Sequence, residues 1–124
     1  DTATPDIYTL SLHDALPIYQ GAVRMFADAI ERVLEREKLG VGELRWVVPH
    51  QANERMWKAV AQRIGAPAEL FFSNIRGYGN TSAATIPLAI NDLVAADRLA
   101  PGDRIVLCSV GAGLTSAGCL VTLA

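Results

Sequence analysis

Residues 44–65, LRWVVPHQANERMWKAVAQRIG, decide the fold of this chain. The apolar run Leu44 to Val48 stops at Pro49, as expected for a short buried strand. Asn53 can cap a following helix, and Gly65 can end it because glycine readily adopts the left-handed conformation of a helix C-cap. The buried stripe of that helix is predicted to be Met56, Trp57, Val60, Ala61 and Ile64. A strand followed by a helix is the unit from which α/β sheets are built.

The same alternation continues on both sides of this segment. Apolar residues at three- and four-residue spacing predict an amphipathic helix from Gly21 to near Gly40. The other predicted elements are a strand at 70–72, a loop at 74–80, a helix from 81–84 to about 96 with Pro87 near its start, and two strands, 104–109 and 117–123, around a tight bend at 111–113. The order predicts an α/β layered sheet with an antiparallel final pair at its edge.

The composition is typical of one globular domain, or of part of one. Of 124 residues, 51% are hydrophobic, and 11 Lys and Arg stand against 13 Asp and Glu, for a formal charge of −2. That balance disfavours a nucleic-acid or membrane-surface partner. No apolar run approaches the roughly 18 residues of a membrane span, and the start does not resemble a signal peptide. We therefore expect a cytoplasmic protein.

Residues 1–18 differ from the rest of the chain. They show no clear helical or strand period, and Pro5 and Pro17 interrupt them. A widely used short-read sequencing adapter translates to Tyr8 through Ile18 without a mismatch. We therefore expect residues 1–18 to be a non-native leader, and residues 19–124 to be the functional domain; the alternative is an ordinary disordered tail.

His50 is the first candidate for chemistry. It follows a predicted strand directly, and ligand-binding groups in open α/β sheets gather at the carboxyl ends of strands. The alternative is a histidine that hydrogen-bonds a neighbour and has no further role.

Asn80 is the second candidate. It closes the loop Gly77-Tyr78-Gly79-Asn80, whose glycines allow the backbone to approach a ligand, and its amide can donate a hydrogen bond. The alternative is an asparagine that only shapes the turn.

The bend Gly111-Ala112-Gly113 is the third candidate. It is not a dinucleotide fingerprint, because Ser116 stands where the third glycine should be and no helix can follow. Its backbone N–H groups could face a developing oxyanion, or it could be a plain hairpin.

The two cysteines are predicted to be buried structural thiols. Cys108 lies in an apolar strand without a neighbouring base, and Cys119 has the same character. Their spacing is not that of a redox or zinc motif, so we expect no metal site.

Together, Pro49-His50-Gln51-Ala52-Asn53, Gly79-Asn80-Thr81-Ser82-Ala83-Ala84 and Gly111-Ala112-Gly113-Leu114-Thr115 resemble β-ketoacyl-acyl-carrier-protein synthase III. The resemblance covers the C-terminal part of that family and implies the thiolase-like fold, C-terminal half only. It implies initiation of fatty acid biosynthesis by decarboxylative Claisen condensation of an acyl-CoA primer, such as acetyl-CoA, with malonyl-acyl-carrier-protein.

The resemblance also implies roles for single residues. His50 and Asn80 match two members of a catalytic Cys-His-Asn triad, and Ala112 matches the backbone donor of an oxyanion hole. Asn53 matches a pantetheine-binding position and Arg55 a carrier-protein docking position. The nucleophilic cysteine belongs to an N-terminal half that this chain lacks, so the chain alone should not complete condensation.

The implied partners are acyl carrier protein and a coenzyme A thioester, with no resident cofactor and a homodimer at full length. Val110 and Ser116 depart from the aromatic residues common in the family. They leave open a synthase-III-like acyltransferase of secondary metabolism. A non-catalytic structural fragment is the alternative from a different class.

Overall fold

Three strands form one mixed sheet in a computed structural model that describes the backbone from residue 3 and the side chains from residue 17 to the end of the chain. They are β1 (Trp46–Pro49), β2 (Arg104–Gly111) and β3 (Thr115–Thr122), in the order β1-β2-β3. β1 runs parallel to β2, with Pro49 opposite Cys108, and β2 runs antiparallel to β3. The predicted α/β sheet with an antiparallel final pair is confirmed.

Four helices accompany the sheet: α1 (Ala3–Glu37), α2 (Met56–Ile64), α3 (Ile75–Tyr78) and α4 (Thr85–Ala95). Short 3₁₀ turns lie at 41–43, 68–70 and 82–84. Among the described residues, none of the helices combines the length and the hydropathy that a membrane span requires.

The helices cover both faces of the sheet because the strand side chains alternate between them. One face packs on α1 and α2 through a core that includes Phe26, Ile30, Val47, Trp57 and Val106. The other face packs on α4 through Trp46, Val48, Ala89, Leu93 and Ile105. The result is three layers, with the carboxyl ends of β1 and β2 together at one end of the sheet.

Helix α1 corrects the prediction for the start of the chain. It runs without interruption through residues 3–20 and contains Pro17, although these residues show no clear period. Proline weakens a helix interior but does not forbid it, so the expected interruption at Pro17 is wrong. The proposed origin of residues 1–18 as a translated adapter stays a prediction.

Other elements also differ from the predictions. Strands β2 and β3 each extend two residues further toward the bend than predicted, to Gly111 and from Thr115. The predicted strand at 70–72 is only a single bridge from Phe71 to Val47, because the N–H groups of Leu70 and Phe71 donate to a 3₁₀ turn that begins at Pro67. The predicted loop at 74–80 contains the one-turn helix α3. Helix α2 begins at Met56, so Asn53 is not its N-cap.

Two predicted helix signals are confirmed. Gly65 ends α2 in the left-handed conformation, with φ 71° and ψ 33°. Pro87 is the third residue of α4, where its missing N–H removes no bond within the helix. Of the predicted α2 stripe, four residues are buried and Ile64 is partly exposed.

Candidate active site

His50 lies one residue beyond the end of β1. Its backbone N–H donates to the Cys108 carbonyl at 2.8 Å, which extends the pairing of β1 with β2 by one residue. Its carbonyl accepts from the Ala52 N–H at 2.9 Å. Both backbone groups of His50 are therefore fixed at the carboxyl end of a strand, as the sequence predicts.

The imidazole ring of His50 contacts the start of α4. Nδ1 lies 2.6 Å from the hydroxyl oxygen of Thr85, which is buried. Because Thr85 follows the Asn80 motif closely in sequence, this hydrogen bond joins the two predicted catalytic segments. The structure thus brings the His50 and Asn80 segments to the same edge of the sheet.

Partial burial lowers the pKa of His50 from its ordinary value of 6.5, because desolvation disfavours the charged imidazolium. The ring is therefore neutral at neutral pH. A neutral ring that accepts at one nitrogen carries its proton on the other and can donate from there.

Gln51, the next residue, is a buried polar residue to which the sequence assigned no role. It is 1% exposed, and its amide nitrogen donates to the carbonyls of Pro49 and Phe72 at 2.8 and 3.1 Å. Its amide oxygen accepts from the Asn74 N–H at 3.1 Å. Gln51 therefore ties the end of β1 to the segment that leads into the Asn80 loop.

Asn80 is exposed and shapes its own turn. Its side-chain oxygen accepts a hydrogen bond from the Ser82 N–H at 3.0 Å. Gly79 before it has φ 70° and ψ −163°, a conformation essentially confined to glycine, and Ser82 has φ 59°. The turn-forming interpretation and the catalytic one are compatible, because the turn uses the oxygen and leaves the Nδ2 donors to other partners.

Asp92 holds the loop before Asn80 and was missed by sequence reasoning. Its two carboxylate oxygens accept from the Asn74 side-chain amide and from the Tyr78 hydroxyl, each at 3.0 Å. The hydrogen bond and the charge of Asp92 raise the pKa of Tyr78 above its ordinary value of 10.0. A polar residue in the apolar sequence of α4 was the available signal.

Ala112 lies in the bend that joins β2 to β3. The two strands pair up to Gly111 and Thr115, and the Thr115 hydroxyl donates to the Ala112 carbonyl at 3.5 Å. Because β1 and β2 are parallel, this bend follows the same sheet edge as His50. The predicted tight bend is confirmed, and it lies at the same end of the strands as His50.

Asn53 and Arg55 are both exposed and follow His50 in a short turn. The Asn53 side-chain oxygen accepts from the Arg55 N–H at 3.0 Å. Arg55 borders a concave surface that it shares with Glu54, Lys58 and Arg76. Arg76 donates a hydrogen bond to Glu54 at 2.8 Å, so Arg55 and Lys58 supply the remaining positive charge of this concave surface.

The two cysteines differ from each other. Cys108 is buried, as predicted, and desolvation raises the pKa of its thiol far above the ordinary value. Cys119 is exposed, which corrects the prediction that it is buried. Its neighbour Gly118 contacts α1, so alternation along β3 turns Cys119 to the opposite face. Among the described residues, no group of three or more His, Cys, Asp or Glu side chains could hold a metal ion.

Comparison with known proteins gives one consistent family. The model of the 3-oxoacyl-[acyl-carrier-protein] synthase III C-terminal domain matches residues 34–123. β-Ketoacyl-[acyl-carrier-protein] synthase III of Synechocystis is 45% identical over 104 residues, which are 84% of this chain and 32% of the relative. The chain spans about a third of the length of the curated relatives it matches.

Solved structures agree with this match. The 3-oxoacyl-(acyl carrier protein) synthase III of Pseudomonas aeruginosa PAO1 superposes with a TM-score of 0.83 and 38% identity, over 89% of this chain and 34% of that one. The priming β-ketosynthase of the R1128 polyketide biosynthetic pathway superposes with a TM-score of 0.79 and 34% identity, over 89% of this chain and 33% of that one. The fold is the C-terminal portion of a thiolase-like fold.

Proposed function

The chain belongs to the 3-oxoacyl-[acyl-carrier-protein] synthase III family, and from that premise we propose that it forms the C-terminal part of a condensing enzyme that initiates fatty acid biosynthesis. The reaction joins an acyl-CoA primer, such as acetyl-CoA, to malonyl-acyl-carrier-protein with loss of carbon dioxide. The observation that carries the proposal is the contact that holds the His50 ring against Thr85, next to the segment of Asn80.

His50 and Asn80 supply two hydrogen-bond donors in the proposed mechanism. Decarboxylation of a malonyl thioester leaves negative charge on the thioester oxygen of the resulting enolate. A ring N–H of His50 and the side-chain amide of Asn80 stabilise that charge, and such preorganised donors are the largest single term in many active sites. Since the donor is a neutral imidazole, the step needs no imidazolium.

The acyl group is held on a cysteine that this chain does not contain. Cys108 is unsuited to the role, because its thiol is buried and its raised pKa disfavours the thiolate. Cys119 lies within β3, outside the three motifs. The enolate carbon attacks the carbonyl carbon of the acyl thioester, and the oxyanion of the tetrahedral intermediate is stabilised in part by the backbone N–H of Ala112. The intermediate then breaks its C–S bond, which releases the cysteine thiolate and the 3-oxoacyl product.

The substrate arm and the carrier protein bind beside His50. Asn53 contacts the pantetheine arm, and the exposed cation Arg55 contributes to docking of acyl carrier protein. The proposed whole enzyme is a cytoplasmic homodimer without a resident cofactor. Its partners are acyl carrier protein and a coenzyme A thioester.

A chimaera tests the proposal, with residues 19–124 of this chain joined behind the N-terminal two thirds of the Synechocystis relative. We expect His50→Ala and Asn80→Ala each to lower malonyl-acyl-carrier-protein decarboxylation roughly 100- to 1,000-fold, the usual effect of removing one such donor. Arg36→Ala, an exposed change on α1, serves as the control. Decarboxylation at the parent rate in both site variants would favour the non-catalytic alternative.

A second candidate is an acyltransferase of secondary metabolism. The similarity to a priming β-ketosynthase of a polyketide pathway favours it, as do Val110 and Ser116 beside the bend. A screen of acyl-CoA primers and of carrier-protein, alcohol and amine acceptors on the chimaera separates the two. Preference for acetyl-CoA with malonyl-acyl-carrier-protein supports fatty acid initiation, and preference for another acceptor supports the second candidate.

A further inference from the structure

Thr85 is the side chain against which the His50 ring is held. It is the first residue of α4 and is 2% exposed, and its hydroxyl oxygen lies 2.6 Å from Nδ1 of His50. The His50 backbone is fixed independently by its hydrogen bond to Cys108. With the backbone and Nδ1 both fixed, the direction of Nε2 is set as well.

Two proton arrangements are compatible with this distance. In the first, the Thr85 hydroxyl donates to Nδ1, and the neutral ring carries its proton on Nε2. In the second, Nδ1–H donates to the Thr85 oxygen, and Nε2 is left with only a lone pair. Only the first arrangement makes Nε2 a donor.

Burial of the Thr85 hydroxyl distinguishes the two arrangements. Within residues 17–124, the structure shows no second hydrogen-bond partner for the Thr85 side chain. In the second arrangement the hydroxyl proton would be buried without an acceptor, which is destabilising. In the first arrangement Nδ1 accepts that proton, and the tendency of His50 to remain neutral keeps this acceptor available.

We infer that Thr85 is a positioning residue whose hydroxyl donates to Nδ1 of His50 and holds the ring with its proton on Nε2. The inference rests on the proposed function, because the Nε2–H is the group that faces the developing enolate oxygen. Partners that fix the orientation and tautomer of a ligating histidine change activity roughly 10- to 100-fold in metal enzymes, which sets the expected scale.

Nitrogen-15 spectroscopy of the 124-residue chain tests the tautomer directly. His13→Gln leaves His50 as the one histidine of the chain. At a pH above the pKa of His50, we expect an unprotonated Nδ1 and a protonated Nε2. Thr85→Val should produce averaged signals from both tautomers, while Thr85→Ser should retain the wild-type pattern. A protonated Nδ1 in the wild-type chain overturns the inference, and this spectrum needs no Thr85 variant.

The chimaera defined above tests the consequence for catalysis. We expect Thr85→Val to lower kcat for malonyl decarboxylation roughly 10- to 100-fold while KM changes less than about twofold, because the interaction acts in the transition state. Thr85→Ser should restore most of the rate. Thr122→Val, which removes an exposed hydroxyl at the end of β3, should match the parent.

His50→Ala in the same chimaera separates the two hypotheses. If His50→Ala is as active as the parent, the proposed function fails. If His50→Ala is inactive but Thr85→Val keeps the parent kcat, the function stands and the positioning role of Thr85 is wrong.

Discussion

His50 and Asn80 are held in contrasting ways, although they would act on the same oxygen. His50 is fixed by the β2 backbone and by buried Thr85, and its neighbour Gln51 makes three hydrogen bonds in the interior. Asn80 is exposed and rests on a local turn with Ser82. The fold therefore builds one donor into its core and presents the other on a loop. Mutations near His50 should change stability, and mutations near Asn80 should change mainly function.

Gln51→Leu should have the largest effect on stability. It leaves the Pro49 and Phe72 carbonyls and the Asn74 N–H without the partner they have now. An unpaired buried group costs about 1–3 kcal/mol, and because two of these three bonds are only partly buried we expect a total loss of about 3 kcal/mol in the free energy of unfolding. Urea unfolding of the chain measures it.

Gln62→Leu is the matched control, because it makes the same change at an exposed position of α2. It should alter the free energy of unfolding by less than about 0.5 kcal/mol. Equal effects of the two substitutions would contradict the claim that the His50 end of the sheet is built into the core.

The fold was largely predictable because its signals are local. The apolar run that stops at Pro49, the C-cap at Gly65 and the early position of Pro87 each depend on neighbouring residues. The errors arose where one local signal competed with another. Pro17 indicated an interruption that α1 does not have, and the turn after Pro67 took the N–H groups that a strand would have used.

The site was predictable only in part. The carboxyl end of a strand indicated His50, whereas the glycine-containing loop and the resemblance to a family indicated Asn80 and Ala112. The residues that support them were missed because their partners are distant in sequence. Thr85 meets His50 and Asp92 meets Asn74 only after α4 has packed on the sheet. The polarity of a residue in the sequence does not reveal which distant residue it contacts in the fold.

Asn80→Ala should have a smaller effect on stability than Gln51→Leu. It removes the acceptor for the Ser82 N–H, but water can replace that acceptor because the turn is exposed. We expect a loss of about 0.5–1 kcal/mol in urea unfolding, at the low end for a hydrogen bond. A loss as large as that of Gln51→Leu would show that the Asn80 loop is part of the core.

The titration of His50 should change the free energy of unfolding by a still smaller amount, which appears in the pH dependence of stability. Its pKa in the folded state is lowered, so the unfolded chain binds more protons near the ordinary value of 6.5. The contribution of His50 to stability is therefore present above pH 6.5 and is lost as the pH falls through the folded-state pKa. Because the ring is only partly buried, solvent screening keeps the effect small.

His50→Gln is the comparison that isolates this contribution, since the two chains differ only at residue 50. The difference in unfolding free energy, wild type minus His50→Gln, should rise from pH 5 and level off above about pH 6.5. A difference that falls over this range would mean that the folded state stabilises the imidazolium.

Tyr78→Phe should have the smallest effect on global stability and a local effect on the Asn80 loop. The Tyr78 hydroxyl is exposed, and its hydrogen bond to Asp92 is one of two that join that carboxylate to residues 74–78. Its loss should speed amide hydrogen exchange at residues 75–80 and leave the exchange of β1 and β2 unchanged, because local opening needs only the loop. Tyr19→Phe, which removes a hydroxyl that donates to the Arg55 carbonyl at 3.4 Å, is the control. Unchanged exchange at residues 75–80 in Tyr78→Phe would mean that Asp92 does not hold the loop through Tyr78, and that the local Asx turn of Asn80 is sufficient.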